Sequence, residues 1–185
     1  MSWIKEIEEN DAKGRLKKVY QKISRDRGKL SNIMKVHSLN PTAMEAHLEL
    51  YLSIMFKNSS LTREECEIIG VVVSSVNRCE YCVEHHSQAL NHYWKDMKKV
   101  KELIEKYEES KLTKKQSTMV KYVKNLTEEP SSISKRDISE LKDVGLTDKN
   151  ILDINLVASY FNFVNRIALG LGVVLTPEEI KGYEY

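Results

Sequence analysis

Two cysteines and a histidine in one short segment are the residues of this chain best suited to chemistry. The segment reads Asn77-Arg78-Cys79-Glu80-Tyr81-Cys82-Val83-Glu84-His85-His86. Cys79, Cys82 and His86 are spaced i, i+3 and i+7, so a helix places them on one face. Glu67 lies twelve residues before Cys79 in an otherwise apolar run. A dithiol, an imidazole and a carboxylate together are the groups needed for a proton-assisted thiol redox reaction.

The local sequence explains how these thiols could become reactive. The thiolate is the attacking species, and a free cysteine with a pKa of roughly 8.5 is mostly protonated at neutral pH. Asn77 is predicted to be the N-cap of the helix, with Glu80 as its capping-box partner. Both cysteines then lie on the first turn, where the helix dipole favours thiolates. His86 can accept the proton of Cys82, and Glu67 can orient the imidazole.

Other interpretations of the C-x-x-C motif stay open at this stage. It can be half of a zinc site, but zinc usually takes four nitrogen or sulfur ligands and the chain has no second C-x-x-C. A metal site would therefore need Cys79, Cys82, His86 and Glu67 together. A purely structural dithiol and a redox-sensing module are the further alternatives. The third cysteine, Cys66, is interpreted as a buried small side chain.

The spacing of Glu67, Cys79, Cys82 and His86 resembles that of the AhpD-like alkylhydroperoxidases of the carboxymuconolactone decarboxylase superfamily. That family has a glutamate, twelve residues to the first cysteine of C-x-x-C, and a histidine four residues after the second. The stretch 160–170, Tyr-Phe-Asn-Phe-Val-Asn-Arg-Ile-Ala-Leu-Gly, is similar to its peroxidase-related subgroup. The resemblance covers roughly residues 30–175.

The resemblance implies an all-α fold, a peroxidase-type reaction of the dithiol and a homo-oligomeric assembly. It implies that Cys82 is the peroxidatic nucleophile, that Cys79 is the resolving thiol, and that His86 and Glu67 form the proton relay. Well-known members carry a second histidine where this chain has Tyr81, which predicts a simpler relay and a lower peroxidase rate. The decarboxylase branch lacks the cysteine pair, so the pair argues against decarboxylation.

Three further residues are candidates for the substrate pocket. Tyr81 lies between the two cysteines, and Asn165 and Arg166 lie in the family-like C-terminal stretch. Arg166 stands in an apolar run, which suggests burial with a partner. Three other histidines show no partner pattern and are predicted to be surface or capped side chains: His37, His47 and His92. His85 is predicted to face solvent or an interface.

Composition excludes several classes of function. A length of 185 residues with 41% hydrophobic residues predicts one domain with a sizeable core. The net charge of +2 gives no electrostatic case for nucleic acid. The first residues lack the apolar core of a signal peptide, and the longest apolar stretch, 167–175, is too short for a membrane span. We therefore expect a cytoplasmic enzyme without cofactor or metal, acting on a hydroperoxide and reduced by a dithiol of unknown identity.

The hydrophobic pattern is helical nearly throughout the chain. Thr62 with Glu65 forms a capping box ahead of the helix that carries Glu67, and Asn40-Pro41 interrupts the second helical region. The predicted helical ranges are 11–27, 32–57, 78–94, 97–108, 114–126, 134–144 and 148–169, together with a helix that is capped by Thr62 and carries Glu67 and a short helix beginning near 176.

The chain also contains an internal sequence repeat, in which matching residues lie 85 positions apart. The matched pairs are Thr62 and Thr147, Ile69 and Ile154, Val72 and Val157, Ser74 and Ser159, and Asn77 and Asn162. At the chemical positions the second copy is apolar, since Leu152 stands for Glu67 and Ile167 for Cys82. A single domain over 1–185 is predicted, with a redox unit at about 30–95. A silent repeat at about 112–175 is expected to pack against it and wall the thiol pocket.

Overall fold

The protein folds into nine α-helices within the part of the chain that the computed structural model describes, which is residues 2–57, 59–107, 110–176 and 179. The predicted all-α fold is confirmed, because every regular element in those residues is helical. The predicted short helix near 176 lies largely outside them. The helices are α1 (Gly14–Arg27), α2 (Asn32–Lys35), α3 (Pro41–Met55), α4 (Arg63–Val76), α5 (Glu80–Trp94), α6 (Met97–Glu105), α7 (Lys114–Glu128), α8 (Lys135–Asp143) and α9 (Asp148–Leu171).

Side-chain caps fix where the central helices begin. Thr62 Oγ1 accepts the backbone N–H of Glu65 at 3.1 Å, and Glu65 Oε2 accepts the backbone N–H of Thr62 at 2.9 Å. This is the predicted capping box. Thr147 caps α9 in the same way. Asn40 Oδ1 accepts the N–H of Ala43 ahead of Pro41, so the predicted interruption of the second helical region is a true helix start.

Helix α4 is the centre of the molecule. Every residue from Glu65 to Ser74 is buried, and α5, α7 and α9 pack around it. A helix that is buried on all sides carries apolar residues on all sides, which explains the run of β-branched residues from Ile68 to Val73. Glu67 belongs to this buried stretch, so its carboxylate is placed inside the core rather than on a solvated face.

The N-terminal helices form a second layer, in which α2 and α3 pack against α9. Helix α1 packs on α3, and the apolar side chains between them form their own cluster. Tyr20 closes this layer, since its hydroxyl donates to the carbonyl of Ile7 at 2.7 Å. Side chains of this layer and of α4, α5 and α9 together line a cavity.

Helix α9 packs directly against α4, and both helices begin at a threonine capping box. The side chains of the matched residues Asn77 and Asn162 contact each other, with Nδ2 of Asn77 3.0 Å from Oδ1 of Asn162. The two segments differ after this point. Helix α4 ends at Val76 and α5 begins at Glu80, whereas α9 continues without interruption to Leu171. A duplicated origin stays a prediction, and α9 contributes Tyr160, Phe161 and Val164 to the cavity wall.

Candidate dithiol active site

The cysteine motif lies at a tight junction between α4 and α5. Asn77 is the C-cap of α4, and the next two amides turn back onto that helix. The N–H of Arg78 donates to the carbonyl of Ser75 at 3.0 Å, and the N–H of Cys79 donates to that of Ser74 at 2.9 Å. These two bonds form a Schellman ending. Arg78 is in the left-handed region with φ 56°, which costs a non-glycine residue about 1 kcal/mol or more.

The prediction that Asn77 caps the redox helix is therefore wrong. Helix α5 begins at Glu80 with Cys79 as its N-cap, two residues later than predicted, and Cys82 lies at the third helical position. The side chain of Asn77 is used elsewhere, because its Nδ2 contacts Asn165 Oδ1 at 3.1 Å in addition to its contact with α9 described above. Both cysteines nevertheless stay at the positive end of the helix dipole.

Two predicted pocket residues are not among the residues that line the cavity. Asn165 is fully buried and donates to Ser74 Oγ at 3.3 Å, so it holds the junction between α4 and α5 against α9. Arg166 is exposed, and its Nη1 donates to the carbonyl of Asn162 on its own helix at 2.8 Å. An apolar run suggested burial, but residue 166 falls on the outer face of α9. Tyr81, in contrast, lines the cavity as predicted.

Cys79 and Cys82 are joined as a disulfide, with their Cα atoms 5.3 Å apart. Both side chains are buried, at 1% and 2% exposure. Both cysteines belong to an apolar cluster that includes Val36 and Ala168. Of the two cysteines, Cys82 is among the residues that line the cavity and Cys79 is not. The third cysteine, Cys66, is a buried free thiol, and burial raises its pKa to about 12.

His86 and Glu67 form the predicted pair. His86 Nδ1 lies 2.7 Å from Glu67 Oε2, and Glu67 is 1% exposed. A carboxylate accepts hydrogen bonds and donates none, so Nδ1 carries the proton and Nε2 is the basic nitrogen of the neutral ring. His86 lies one turn after Cys82 on α5 and lines the same cavity. Its ring meets the Phe161 ring edge-on, with 4.3 Å between centroids.

Arg63 completes this arrangement, and the sequence analysis missed it. Its Nη2 lies 2.6 Å from Glu67 Oε1 and 3.2 Å from the hydroxyl of Tyr51. Burial by itself raises the pKa of Glu67, but the Arg63 guanidinium and His86 outweigh that effect and hold the pKa below its ordinary value of 4.5. The i, i+4 spacing of Arg63 and Glu67 on one helix was the signal that could have identified the pair.

Gly70 is what allows His86 to lie against α4. A Cβ atom at position 70 would come within 2.8 Å of the imidazole, closer than real Cβ contacts allow. Gly70 follows Glu67 by three residues, so both lie on the α4 face that receives the ring. The absence of a side chain at this position therefore sets the distance between α4 and α5 beside Glu67 and His86.

A second hydrogen-bonded chain crosses the cavity wall, formed by histidines that were predicted to lack partners. His37 Nδ1 lies 2.8 Å from the carbonyl of Ile33, His37 Nε2 lies 3.3 Å from His47 Nδ1, and His47 Nε2 lies 2.7 Å from the Tyr160 hydroxyl. The carbonyl only accepts, so with neutral rings the proton order is fixed and Tyr160 donates to His47. Burial lowers the pKa of His47 to about 3, which keeps that ring neutral at physiological pH.

His85 was predicted to face solvent or an interface, and the structure places its side chain on the cavity wall. Its ring packs on Tyr81 with 4.5 Å between centroids, and burial lowers its pKa to about 3. Its Nε2 lies 3.7 Å from Glu179 Oε1. The same carboxylate accepts the Tyr81 hydroxyl and the N–H of Asn32, each at 2.7 Å. Glu179 thus ties this side of the cavity to the start of α2.

The cavity has a volume of about 130 Å³ and is mainly apolar. It is comparable in size to an engineered cavity that accommodates benzene. Within the described residues, no group of three or more His, Cys, Asp and Glu side chains is arranged to hold a metal ion. No helix in the described part of the chain has the length and apolar character needed to cross a membrane.

Comparison with known proteins agrees with the site pattern. The model of the carboxymuconolactone decarboxylase family matches residues 41–124, which include the whole C-x-x-C segment. An uncharacterized peroxidase-related protein from Silicibacter sp. TM1040 is 28% identical, with a TM-score of 0.81 over 89% of this chain and 86% of its own. No curated protein matches the sequence significantly.

Two further structures share the fold at lower identity. One is the AhpD core of an uncharacterized peroxidase-related protein from Ralstonia eutropha JMP134, with 22% identity and a TM-score of 0.86 over 97% of this chain and 94% of its own. The other is the debrominase Bmp8 in complex with 2,3,4-tribromopyrrole, with 18% identity and a TM-score of 0.78 over 94% and 91%. The resemblance drawn from Glu67 and the cysteine motif is confirmed at the level of the superfamily.

The close approach at Gly70 predicts a large effect of a single methyl group. Gly70→Ala should destabilise the protein by about 1–3 kcal/mol, because either the imidazole or α5 has to move. Gly170→Ala on α9 is the matched control, since a Cβ atom there would have nothing within 4 Å, and it should gain about 0.5–1 kcal/mol. Urea unfolding of both variants measures the difference. Equal effects would show that the ring does not rest on Gly70.

The lowered pKa of Glu67 predicts a pH-dependent contribution to stability. Glu67→Gln should cost about 3 kcal/mol at pH 7, because it leaves Arg63 without its buried counter-charge. The contribution of a carboxyl with a depressed pKa is complete above its unfolded pKa, near 4.5, and disappears as pH falls through the folded value. The difference in unfolding free energy between wild type and Glu67→Gln should therefore shrink below about pH 4.5.

The control is Glu105→Gln, an exposed carboxyl at the end of α6. It should leave the free energy of unfolding within about 0.5 kcal/mol of wild type across this range. A difference for Glu67→Gln that is constant with pH would contradict a Glu67 that is ionised in the folded protein.

Proposed function

We propose that this chain, which belongs to the AhpD-like part of the carboxymuconolactone decarboxylase superfamily of enzymes, is a dithiol peroxidase. The observation that carries the proposal is one shared cavity wall. Cys82, half of a C-x-x-C disulfide, lies there one turn from His86, whose Nδ1 is held by the buried carboxylate of Glu67. A redox-active sulfur, a basic nitrogen and its orienting group are thereby within reach of one small substrate.

Oxidation begins from the reduced dithiol. His86 Nε2 takes the proton of Cys82, and the N-terminal turn of α5 stabilises the thiolate. The sulfur attacks the distal oxygen of the hydroperoxide, so that an S–O bond forms as the O–O bond breaks. The departing alkoxide takes the proton back from His86 and leaves as an alcohol. Cys82 is then a sulfenic acid.

Resolution gives the disulfide that is present in the structure. The sulfur of Cys79 attacks the sulfenic sulfur, the S–S bond forms, and the hydroxyl leaves as water with the thiol proton of Cys79. The net reaction converts one hydroperoxide and two thiols into an alcohol, water and a disulfide. An external dithiol restores the pair by two exchange steps. The homo-oligomeric state and the cytoplasmic location remain part of the proposal.

Rival functions separate by simple measurements. A thiol–disulfide oxidoreductase, or a redox sensor that responds to disulfides, would keep both thiols of the reduced motif when hydroperoxide is added. A structural metal protein would contain stoichiometric zinc and lose its fold with chelator. A dehalogenase would consume 2,3,4-tribromopyrrole, the ligand of the structurally similar debrominase, faster than it consumes hydroperoxides.

The placement of the two sulfurs predicts different behaviour of the two serine variants. Cys79→Ser should still consume one equivalent of cumene hydroperoxide and accumulate a sulfenic acid at Cys82, because Cys82 faces the cavity. Cys82→Ser should not react, because Cys79 is not among the residues that line the cavity. Stopped-flow consumption of peroxide, with mass detection of a trapped sulfenic acid, measures both outcomes.

Cys66→Ser serves as the control, since that thiol is buried outside the motif and should leave the stoichiometry unchanged. A fast reaction in Cys82→Ser would reverse the assignment of nucleophile and resolving thiol. No reaction in either variant or in wild type would remove the peroxidase proposal.

A further inference from the structure

We infer that the hydroperoxide taken by this site carries a carboxylate on a compact apolar body, and that Arg27 binds the carboxylate. That the substrate is a hydroperoxide depends on the proposed peroxidase function. The carboxylate site itself is inferred from the cavity alone. The observation behind it is an excess of positive charge on one part of an otherwise apolar wall.

The charged side chains lining the cavity are unequal in number. Three cations, Arg27, Lys29 and Arg63, face one carboxylate, Glu67. Glu67 forms its ion pair with Arg63. Lys29 is engaged elsewhere, since its Nζ donates to the backbone carbonyl of Glu179 at 2.8 Å. The Glu179 carboxylate lies near the cavity too, but it accepts the hydrogen bonds of α2 and Tyr81 described above.

Arg27 is the third cation of this wall. Among the described residues, no carboxylate lies within ion-pair distance of its guanidinium. Its Nη2 contacts the Tyr51 hydroxyl at 3.4 Å, and its guanidinium carbon lies 4.9 Å from the Phe56 ring centroid. Stacking holds the group in place without neutralising its charge.

Arg63 places a second positive charge close to Arg27, because both guanidinium groups contact the same two aromatic residues. Its Nη2 donates to the same Tyr51 hydroxyl at 3.2 Å, and its guanidinium carbon lies 4.1 Å from the centre of the Phe56 ring. Two guanidinium groups thus meet at one hydroxyl oxygen, and among the described residues only Arg63 has a carboxylate, Glu67, at ion-pair distance. An anion bound at Arg27 would relieve their repulsion, and a planar guanidinium held by stacking matches a carboxylate in two-point geometry.

The remaining wall determines the rest of the substrate. Ile23, Leu48, Ala89 and Val164 are apolar, and the volume of about 130 Å³ is close to that needed for one aromatic ring. A long acyl chain would not be enclosed by such a space. A branched alkyl or aryl hydroperoxide with one carboxylate fills the apolar part and places its charge at Arg27.

The first test compares para-carboxycumene hydroperoxide with its neutral methyl ester. Single-turnover oxidation of the reduced protein, followed by thiol loss, should proceed about tenfold or more faster with the carboxylate, since a charge-assisted hydrogen bond of this kind typically corresponds to one to two orders of magnitude. In Arg27→Gln the ratio of the two rates should fall to about one. Arg27→Lys should restore part of it, which separates loss of charge from misfolding.

Arg25→Gln is the matched control. It removes the same charge from the same helix, but Arg25 is exposed and pairs with Asp26 at the surface. Its ratio should equal that of wild type. A wild-type ratio near one, or a ratio that Arg27→Gln leaves unchanged, would overturn the inference while leaving the peroxidase proposal in place.

The second test needs no redox chemistry. Para-isopropylbenzoate, an inert analogue, is titrated into the disulfide form by calorimetry. Wild type and Arg25→Gln should bind it, and Arg27→Gln should bind it at least about tenfold more weakly. Binding through Arg27 in a protein that consumes neither hydroperoxide would support the carboxylate site and remove the peroxidase function. Equal affinity in all three proteins would overturn the carboxylate site.

Discussion

The buried carboxylate of Glu67 is the interaction on which the site depends. It is 1% exposed on a helix that is otherwise apolar, and a charge in such a place persists only with paired and hydrogen-bonded partners. Arg63 holds one oxygen and His86 holds the other. These partners fix where α5 lies against α4, why position 70 has no side chain, and which nitrogen of His86 remains available as a base. The geometry of the candidate site and the packing of α4 against α5 therefore depend on the same contacts.

Local patterns predicted a large part of this arrangement. The capping box at Thr62, the interruption at Asn40-Pro41 and the all-α fold depend on neighbours in sequence, and each is present. The pairing of Glu67 with His86 followed from a carboxylate in an apolar run at a family-like distance. The predicted start of α5 was wrong, because the sequence does not show which of two possible contacts the Asn77 side chain makes. It could cap α5 or bind α9, and the Schellman ending of α4 decided for the second.

Contacts between distant helices could not be predicted from spacing. His47 finds His37 and Tyr160 only once α3 lies beside α9, and His85 meets Glu179 from the far end of the chain. Arg166 was expected inside because its neighbours are apolar, but helical periodicity turns it outward. Arg27 lies on α1 and Arg63 on α4, so the positive charge of the cavity arises from residues that are distant in sequence and come together only in the folded protein. In this protein, the sequence predicted that Glu67 pairs with His86 beside the two cysteines, and the folded chain determines the surroundings of these groups.

The central claim is that Glu67 and His86 act as one unit on Cys82. A double-mutant cycle of Glu67→Gln and His86→Gln, with the rate of Cys82 oxidation by cumene hydroperoxide as the readout, tests it most directly. Each single variant should slow oxidation by roughly 100- to 10,000-fold, the usual contribution of a positioned acid–base group. The double variant should be little slower than either single one, because groups that act together are not additive. Losses that multiply in the double variant would contradict the account, since they would mean that each residue acts on the thiol independently.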